Sequence, residues 1–192
     1  MKLFHRRTPA PVLMPVLQTE RLILRGFQPD DVTDLFAYCQ SPKVGPMAGW
    51  APHQTLDDSR RIIEGFISGG EVWAIVEKKS GHVIGSLGLH AHATCNVEGA
   101  RELGYVLGEA YWNNGYATEA CRAALAYAFD QLDCRQVRAC HFPFNKKSRH
   151  VIQKLGFTYE GTLRQACCLP DGAWTDKCVY SMLRNEYEAQ KR

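Results

Sequence analysis

The sequence contains no long run of apolar residues. None of its hydrophobic stretches approaches the ~18 residues that a membrane-spanning helix requires. Residues 1–15 are basic and then interrupted by proline, and they lack the continuous apolar segment of a secretion signal. We therefore expect a cytoplasmic protein with no membrane partner, in which residues 1–15 form a flexible basic lead-in.

Cys-x-x-Cys spacing is also missing. The chain has eight cysteines, but no two of them form a Cys-x-x-Cys pair, which is the usual sign of a structural zinc site. No metal site is therefore expected. Cys121 lies in an alanine-rich apolar segment, where a thiol behaves as a small hydrophobic group. Reduced cysteines in the cytoplasm are the simplest interpretation.

A large excess of positive charge is absent as well, because the formal net charge is only +3. Proteins that bind nucleic acids usually have basic patches on one face. One segment is basic, with Lys146, Lys147, Arg149, His150 and Lys154 close together. It fits attraction of a phosphorylated cofactor, an acidic or ribosomal partner, or a solvated helix face. Direct nucleic-acid binding is not expected.

The remaining composition is that of one globular domain. The chain has 192 residues, of which 45% are hydrophobic, enough to form a core without disulfides. No internal repeat is visible. We predict a single domain over residues 16–188 and a short tail over 189–192. Its class is α/β, or α+β by some definitions, with a mixed sheet covered by helices.

Hydrophobic periodicity predicts the elements of this domain. Strands are expected at 21–25, 72–77, 83–89, 100–107, 136–142, 158–169 and 174–183, and helices at about 29–41, 56–67, 115–132 and 146–155. In the strand after residue 82, Val83, Gly85, Leu87 and Leu89 should share one face, with Ser86, His90 and His92 on the other. Residues 45–52 should form a loop that holds Trp50. Asn145 should cap the helix that follows it, and Gly156 should end that helix.

The junction between Leu107 and the longest helix is the most informative part of the sequence. A strand leads into a loop, and a helix begins near Gly115. Unpaired N–H groups at a helix start attract anions, and glycine lets a phosphate approach the backbone. No Gly-Lys-Ser/Thr follows, so a nucleotide-triphosphate loop is not supported. By itself, the motif equally fits an ordinary turn before a helix.

Five segments in order resemble one family. They are residues 19–25 (TERLILR), 103–107 (LGYVL), 112–120 (WNNGYATEA), 145–148 (NKKS) with 154–157 (KLGF), and 161–164 (GTLR) with 171–176 (DGAWTD). Together they resemble the RimJ/RimL branch of the GCN5-related N-acetyltransferase (GNAT) superfamily, from about Thr19 to Glu186. The superfamily pattern Gln/Arg-x-x-Gly-x-Gly/Ala matches residues 112–117, although Trp112 departs from its first position.

The resemblance implies a mixed central sheet with helices on both faces and a splayed pair of strands that holds acetyl-CoA. Pantetheine would lie between the strands ending at Leu107 and Phe142, and the pyrophosphate would meet the N–H groups of residues 113–117. The acceptor amine would approach from the opposite side, near Trp50 and His90. The implied cofactor residues are Val106, Leu107, Trp112, Asn113, Asn114, Gly115, Tyr116, Ala117, Thr118, Asn145 and Ser148.

The implied reaction, acyl transfer from sulfur to nitrogen, needs a neutral amine, a donor for the leaving thiolate and an N–H group for the oxyanion. Backbone near Val106 or Leu107 is the natural N–H source. Ser148 is the catalytic candidate at the thiol end, although its hydroxyl would also suit the first turn of a helix. The base remains open between Glu102, a histidine (His90 or His92) and water.

Some RimL-like relatives have a glutamate in the closing hairpin where this chain has Cys167. Two functions are therefore carried forward. The first is an N-acetyltransferase that acts on a primary amine, which is either a peptide or protein N-terminus, for example of a ribosomal protein, or a small molecule. The second is a non-catalytic acyl-CoA-binding or regulatory module with the same fold. Either would be a monomer or a homodimer.

Overall fold

The computed structural model describes residues 14–91 and 98–191. Its centre is one eight-stranded sheet in the order β1-β2-β3-β4-β5-β6-β8-β7. The strands are β1 (Leu17–Gln18), β2 (Leu22–Gly26), β3 (Val72–Glu77), β4 (Val83–His90), β5 (Ala100–Leu107), β6 (Gln136–His141), β7 (Thr158–Cys168) and β8 (Trp174–Leu183). Neighbouring strands are antiparallel except β5 and β6, which are parallel. The predicted mixed sheet is confirmed.

Helices cover both faces of the sheet. They are α1 (Val32–Cys39), α2 (Gly45–Ala48), α3 (Leu56–Gly69), α4 (Tyr116–Ala126), α5 (Lys146–Lys154) and α6 (Arg184–Gln190), and a π-helical turn (Tyr127–Gln131) extends α4. One core lies between the sheet and α4, around Trp73 and Leu87. The other lies between the sheet and helices α1 and α3, around Leu35 and Ile63. None of the helices in the described part of the chain is long and apolar enough to cross a membrane.

Most predicted elements are present within a few residues of their expected bounds. Three differences between the predicted and the observed elements are seen. The predicted loop at 45–52 contains α2, a single turn that ends at Gly49 in the left-handed region, with φ of 90°. The apolar spacing in α3 predicts a buried stripe of Ile62, Ile63, Phe66 and Ile67, whereas Ile63 is buried and Ile62 and Ile67 are exposed. Helix α6 was not predicted. It continues across the expected boundary between the domain (16–188) and the tail (189–192).

The face assignment of β4 was wrong for Val83. The pairing of β3 with β4 shifts between Ile75 and Val76, so Ile75 pairs with Gly85 and Val76 with Val83. This bulge adds one residue, Ile84, and reverses the alternation before it. Val83 consequently packs in the core under α1 and α3, whereas Leu87 and Leu89 pack in the core under α4.

The ends of the described chain are fixed by tertiary contacts. Pro15, the last residue of the predicted lead-in, accepts a hydrogen bond of 2.8 Å through its carbonyl oxygen from the buried indole of Trp73. In the predicted tail, the Lys191 ammonium lies 2.7 Å from the carboxylate of Asp130. The predictions for His92 and for residues 1–13 lie outside the described residues.

Candidate active site

A cleft opens where β5 and β6 separate. Their register pairs run from Ala100–Gln136 to Leu103–Ala139, while the rest of β5 continues to pair only with β4, as far as Leu107 opposite Gly85. The gap between the two strands belongs to a cleft of about 1100 Å³. The predicted splayed pair of strands is confirmed, and one edge of β5 borders the cleft.

The start of α4 forms one end of this cleft. Gly115 is the N-cap with φ of 81°, and Asn113 also has a positive φ, 63°. No side chain caps α4, so the N–H groups of its first turn face the cleft without a side-chain partner. Trp112, Asn113, Gly115, Tyr116, Ala117 and Thr118 all line the cleft. Such a helix start is suited to bind an anion.

Asn114 differs from its neighbours because it is not among the residues that line the cleft. Its side-chain amide donates to the carbonyl of Trp112, at 3.1 Å, and its carbonyl accepts from Arg21, at 2.9 Å. Arg21 also pairs with Glu119 in the first turn of α4, at 2.6 Å. Asn114 therefore stabilises the loop from the side away from the cleft. Its predicted position was in the cleft, among the cofactor residues.

Trp112 fixes the loop to the end of β5. Its indole N–H donates to the carbonyl of Leu107, at 2.8 Å, and its ring is partly buried against both cores. The Lys147 ammonium lies 3.7 Å from the centre of this ring, within the range of a cation–π interaction. Trp112 thus connects the end of β5 with helix α5 across the cleft.

The N-terminus of α5 forms the opposite wall. Asn145 caps the helix by accepting from the Ser148 N–H at 3.0 Å, as predicted. The same side chain donates to the carbonyl of Met47 at 2.9 Å, which joins α5 to α2. Lys146, Lys147, His150 and Lys154 line the cleft. Arg149 is not among the lining residues and interacts with Tyr180 instead.

Ser148 forms a hydroxyl pair with Tyr105. Their oxygens are 3.0 Å apart, and Tyr105 also lies 3.1 Å from the Ser148 carbonyl, to which its hydroxyl can donate. Burial raises the pKa of Tyr105 well above its usual value, so this hydroxyl stays protonated and remains a donor. Sequence reasoning did not select Tyr105 as a site residue. The sequence feature that could have indicated Tyr105 is the alternation of Leu103, Tyr105 and Leu107, which places all three side chains on one face of β5.

Glu102, His90 and Trp50 line the same cleft from the other face of the sheet. Leu103 and Leu107 belong to the core under α4, whereas Val106 packs against the core under α1 and α3. Because alternate residues of a strand point to opposite faces, Glu102 points to the α1–α3 face. His90 is directly opposite Glu102 in the β4–β5 pair.

Trp50 both packs in a hydrophobic core and lines the cleft. Its ring packs against the core under α1 and α3, and it also lines the cleft. A side chain on Gly45 would place its Cβ 2.5 Å from this ring, so α2 must begin with glycine for Trp50 to hold its position. Trp50 is therefore a packed wall of the cleft.

Cys167 lies in β7 opposite Thr175. Its thiol is 3.7 Å from the carbonyl of Cys168, and it is not among the residues that line the cleft. The position at which the RimL-like resemblance implies a glutamate therefore holds a thiol outside the cleft.

A cleft between splayed parallel strands, with a helix start at one end, defines the class of an acyltransferase that uses a coenzyme-A thioester. The family model "Acetyltransferase (GNAT) domain" matches residues 21–158. The chain belongs to this family, and it is an acetyl-CoA-dependent acetyltransferase.

Two curated relatives and one solved structure support this assignment. The chain is 30% identical over 179 residues to the uncharacterized N-acetyltransferase p20 of Bacillus licheniformis, which covers 91% of this chain and 99% of that protein. It is 32% identical over 80 residues to the [Ribosomal protein uS5]-alanine N-acetyltransferase of Escherichia coli (strain K12). That match covers 42% of this chain and 41% of that protein. The crystal structure of a GNAT-family acetyltransferase from Bacillus anthracis superposes with a TM-score of 0.81 at 25% identity, covering 90% of this chain and 100% of that one.

Proposed function

We propose that the enzyme transfers the acetyl group of acetyl-CoA directly to a primary amine. The observation that supports this most is the continuity of the cleft through the sheet. It connects the uncapped start of α4, beside Gly115, with the carboxylate and imidazole of Glu102 and His90 on the other face. A thioester and an amine that enter from opposite faces would meet at the point where β5 and β6 separate.

The proposed cofactor end uses backbone groups. N–H groups of Asn113 and of residues 115–118 would hold the pyrophosphate, helped by the positive end of the α4 dipole. Lys146, Lys147 and Lys154, which line the cleft, would add attraction for its negative charges. The edge of β5 near Val106 and Leu107 would pair with pantetheine in the manner of an added strand, and an N–H group there would stabilise the oxyanion.

The Tyr105–Ser148 hydroxyl pair would serve the leaving thiolate. As the C–S bond breaks, negative charge gathers on sulfur, and a hydroxyl donor lowers the energy of that state. Tyr105 is protonated and half-buried beside Ser148, so the pair keeps a hydroxyl hydrogen that can form a hydrogen bond to the sulfur. Asn145 holds the Ser148 backbone by its cap, which keeps this donor in place.

The acceptor remains a primary amine of one of two kinds, a peptide or protein N-terminus or a small molecule. A ribosomal protein N-terminus is included because one relative is named as an acetyltransferase of ribosomal protein uS5. The second hypothesis, a non-catalytic acyl-CoA-binding module, is set aside because the chain is an acetyltransferase of the GNAT family.

A panel of amines tests the proposal. The purified protein is incubated with acetyl-CoA and, separately, with N-terminal peptides, polyamines and aminoglycoside-like amines, and thiol release is measured together with the mass of the product. We expect thiol release that depends on an amine, with a mass gain of one acetyl group on nitrogen. Acetyl-CoA binding without thiol release across the whole panel would contradict acetyl transfer to an amine.

Replacement of Ser148 by alanine tests the thiol end. We expect turnover to fall about 10- to 100-fold, the value of one hydrogen bond to a developing charge, while acetyl-CoA affinity changes little. Steady-state kinetics and calorimetric titration separate the two quantities. S68A is the matched control, since the exposed Ser68 hydroxyl donates to the nearby Gly65 carbonyl within α3. Equal turnover of S148A and S68A would remove Ser148 from the mechanism.

A further inference from the structure

The last residue of β4 presents an imidazole to the acceptor side of the cleft. His90 and Gly88 point to the same face of the strand, and both line the cleft. A Cβ on Gly88 would lie 2.3 Å from His90 Nε2 and 2.8 Å from its Cε1. The ring therefore lies over the glycine, with Nε2 as its atom nearest to position 88. Glycine at this position leaves the space that the imidazole occupies.

The other ring nitrogen is held by Glu71, the residue between α3 and β3. His90 Nδ1 lies 3.2 Å from one carboxylate oxygen of Glu71, and the second oxygen accepts from the Ala91 N–H at 3.1 Å. The Glu71 carbonyl also accepts from the Leu89 N–H at 2.9 Å. Three contacts therefore fix Glu71 against the end of β4, and its carboxylate has a defined direction.

This contact determines which nitrogen of a neutral His90 carries the hydrogen. An ionised carboxylate only accepts hydrogen bonds, so Nδ1 must be the donor. The lone pair is then on Nε2, the nitrogen beside Gly88 in the cleft. The arrangement orients an imidazole as the carboxylate of a hydrolase triad does.

We propose that His90 is the catalytic base of the acetyl transfer and that Glu71 is its positioning residue. The inference rests on the proposed transfer to a primary amine. A proton passes from the ammonium nitrogen of the acceptor to His90 Nε2. Glu71 contacts the imidazolium, Glu102 is opposite it in the β4–β5 pair, and Lys177 lines the same cleft. An imidazole accepts a proton near neutral pH more readily than an ordinary carboxylate.

The neutral nitrogen forms a bond to the acetyl carbon, and the C–S bond breaks. Hydrogen bonds from the Tyr105–Ser148 hydroxyl pair stabilise the thiolate, which takes the second proton lost by nitrogen through solvent. His90 releases its own proton to solvent. The products are the amide, the free thiol of coenzyme A and one proton.

Amines of different basicity provide the test. The rate of H90Q is compared with that of the unmodified protein, at saturating acetyl-CoA, on an alkylamine that is protonated at the assay pH and on a hydrazide or aromatic amine that is already neutral. We expect kcat for the alkylamine to fall about 100- to 10,000-fold, while kcat for the neutral amine changes by less than about 10-fold. External imidazole should restore part of the alkylamine activity of H90A.

Glu71 and Gly88 give two further variants. In E71Q the amide oxygen can still accept from Ala91, but the amide nitrogen then donates to His90 Nδ1 and moves the ring hydrogen to Nε2, so the same selective loss is expected. G88A should displace the imidazole and reproduce the loss while His90 is still present.

H82Q is the matched control, because His82 pairs with Asp34 at 3.0 Å but does not line the cleft. Melting temperatures confirm that each variant is folded.

Several outcomes would overturn the inference. Retention of alkylamine activity by H90Q would do so, as would an equal loss on both classes of amine, which indicates a structural role. Loss in E102Q alone would assign the base to Glu102. These results leave acetyl transfer itself intact, because the unmodified protein is active in each of them. An unmodified protein that acetylates no amine would overturn both the transfer and the base.

Discussion

Replacement of Gly115 by valine is expected to abolish measurable acetyl-CoA binding while the protein remains folded. Gly115 has φ of 81°, a conformation that a β-branched residue adopts only under strain. A Cβ there would also lie 3.4 Å from the Arg21 guanidinium that holds the loop. The backbone would move out of the left-handed region, and the N–H groups at the start of α4 would no longer converge.

Loss of about two charge-assisted hydrogen bonds corresponds to roughly 3 kcal/mol or more, or at least a 100-fold weaker Kd. Calorimetric titration with coenzyme A measures this change. G81V is the matched control, since Gly81 has φ of 75° and no neighbouring atom within 4 Å of a Cβ, in the hairpin between β3 and β4. Both variants carry the same type of backbone strain, and only G115V should lose affinity. Unchanged affinity in G115V would refute the placement of the pyrophosphate.

Replacement of Gly85 by alanine is expected to lower the free energy of unfolding by about 3 kcal/mol, near the upper end of the usual cost of overpacking. The added Cβ would lie 2.2 Å from the Val106 carbonyl oxygen and 2.7 Å from Leu107 Cδ2. Because the first of these atoms belongs to the backbone, β5 itself has to move. Val106 and Leu107 line the cleft, so acetyl-CoA affinity should fall as well.

Urea unfolding measures the stability change of G85A. G104A is the control for stability, because Gly104 is on the neighbouring strand and a Cβ there has no atom within 4 Å. Adding a methyl group at that position should leave the free energy of unfolding unchanged or slightly higher, because alanine restricts the unfolded chain. Equal stability of G85A and G104A would show that β4 and β5 can separate without cost, contrary to the tight contact seen between them.

The local features of this protein were determined by its sequence. The period of apolar residues predicted β3 at 72–77 and β5 at 100–107, which are the observed bounds. Asn145 was predicted as the cap of α5 and is observed to accept the Ser148 N–H. Gly115 was predicted to precede the longest helix and is its N-cap. Each of these features depends on interactions between residues a few positions apart, which the order of residue types encodes directly.

The tertiary structure alone decided which distant groups meet. Tyr105 and Ser148 are 43 positions apart, and Glu71 and His90 are 19 positions apart, so neither pair leaves a local pattern. The bulge at Ile84 moved Val83 to the other face of β4, since one inserted residue reverses a period of two. The sequence by itself determined most of the elements, the family motifs and the helix start that suits an anion. The hydroxyl pair at the thiol end and the carboxylate behind His90 exist only because the strand order brings β3, β4, β5 and α5 around one gap.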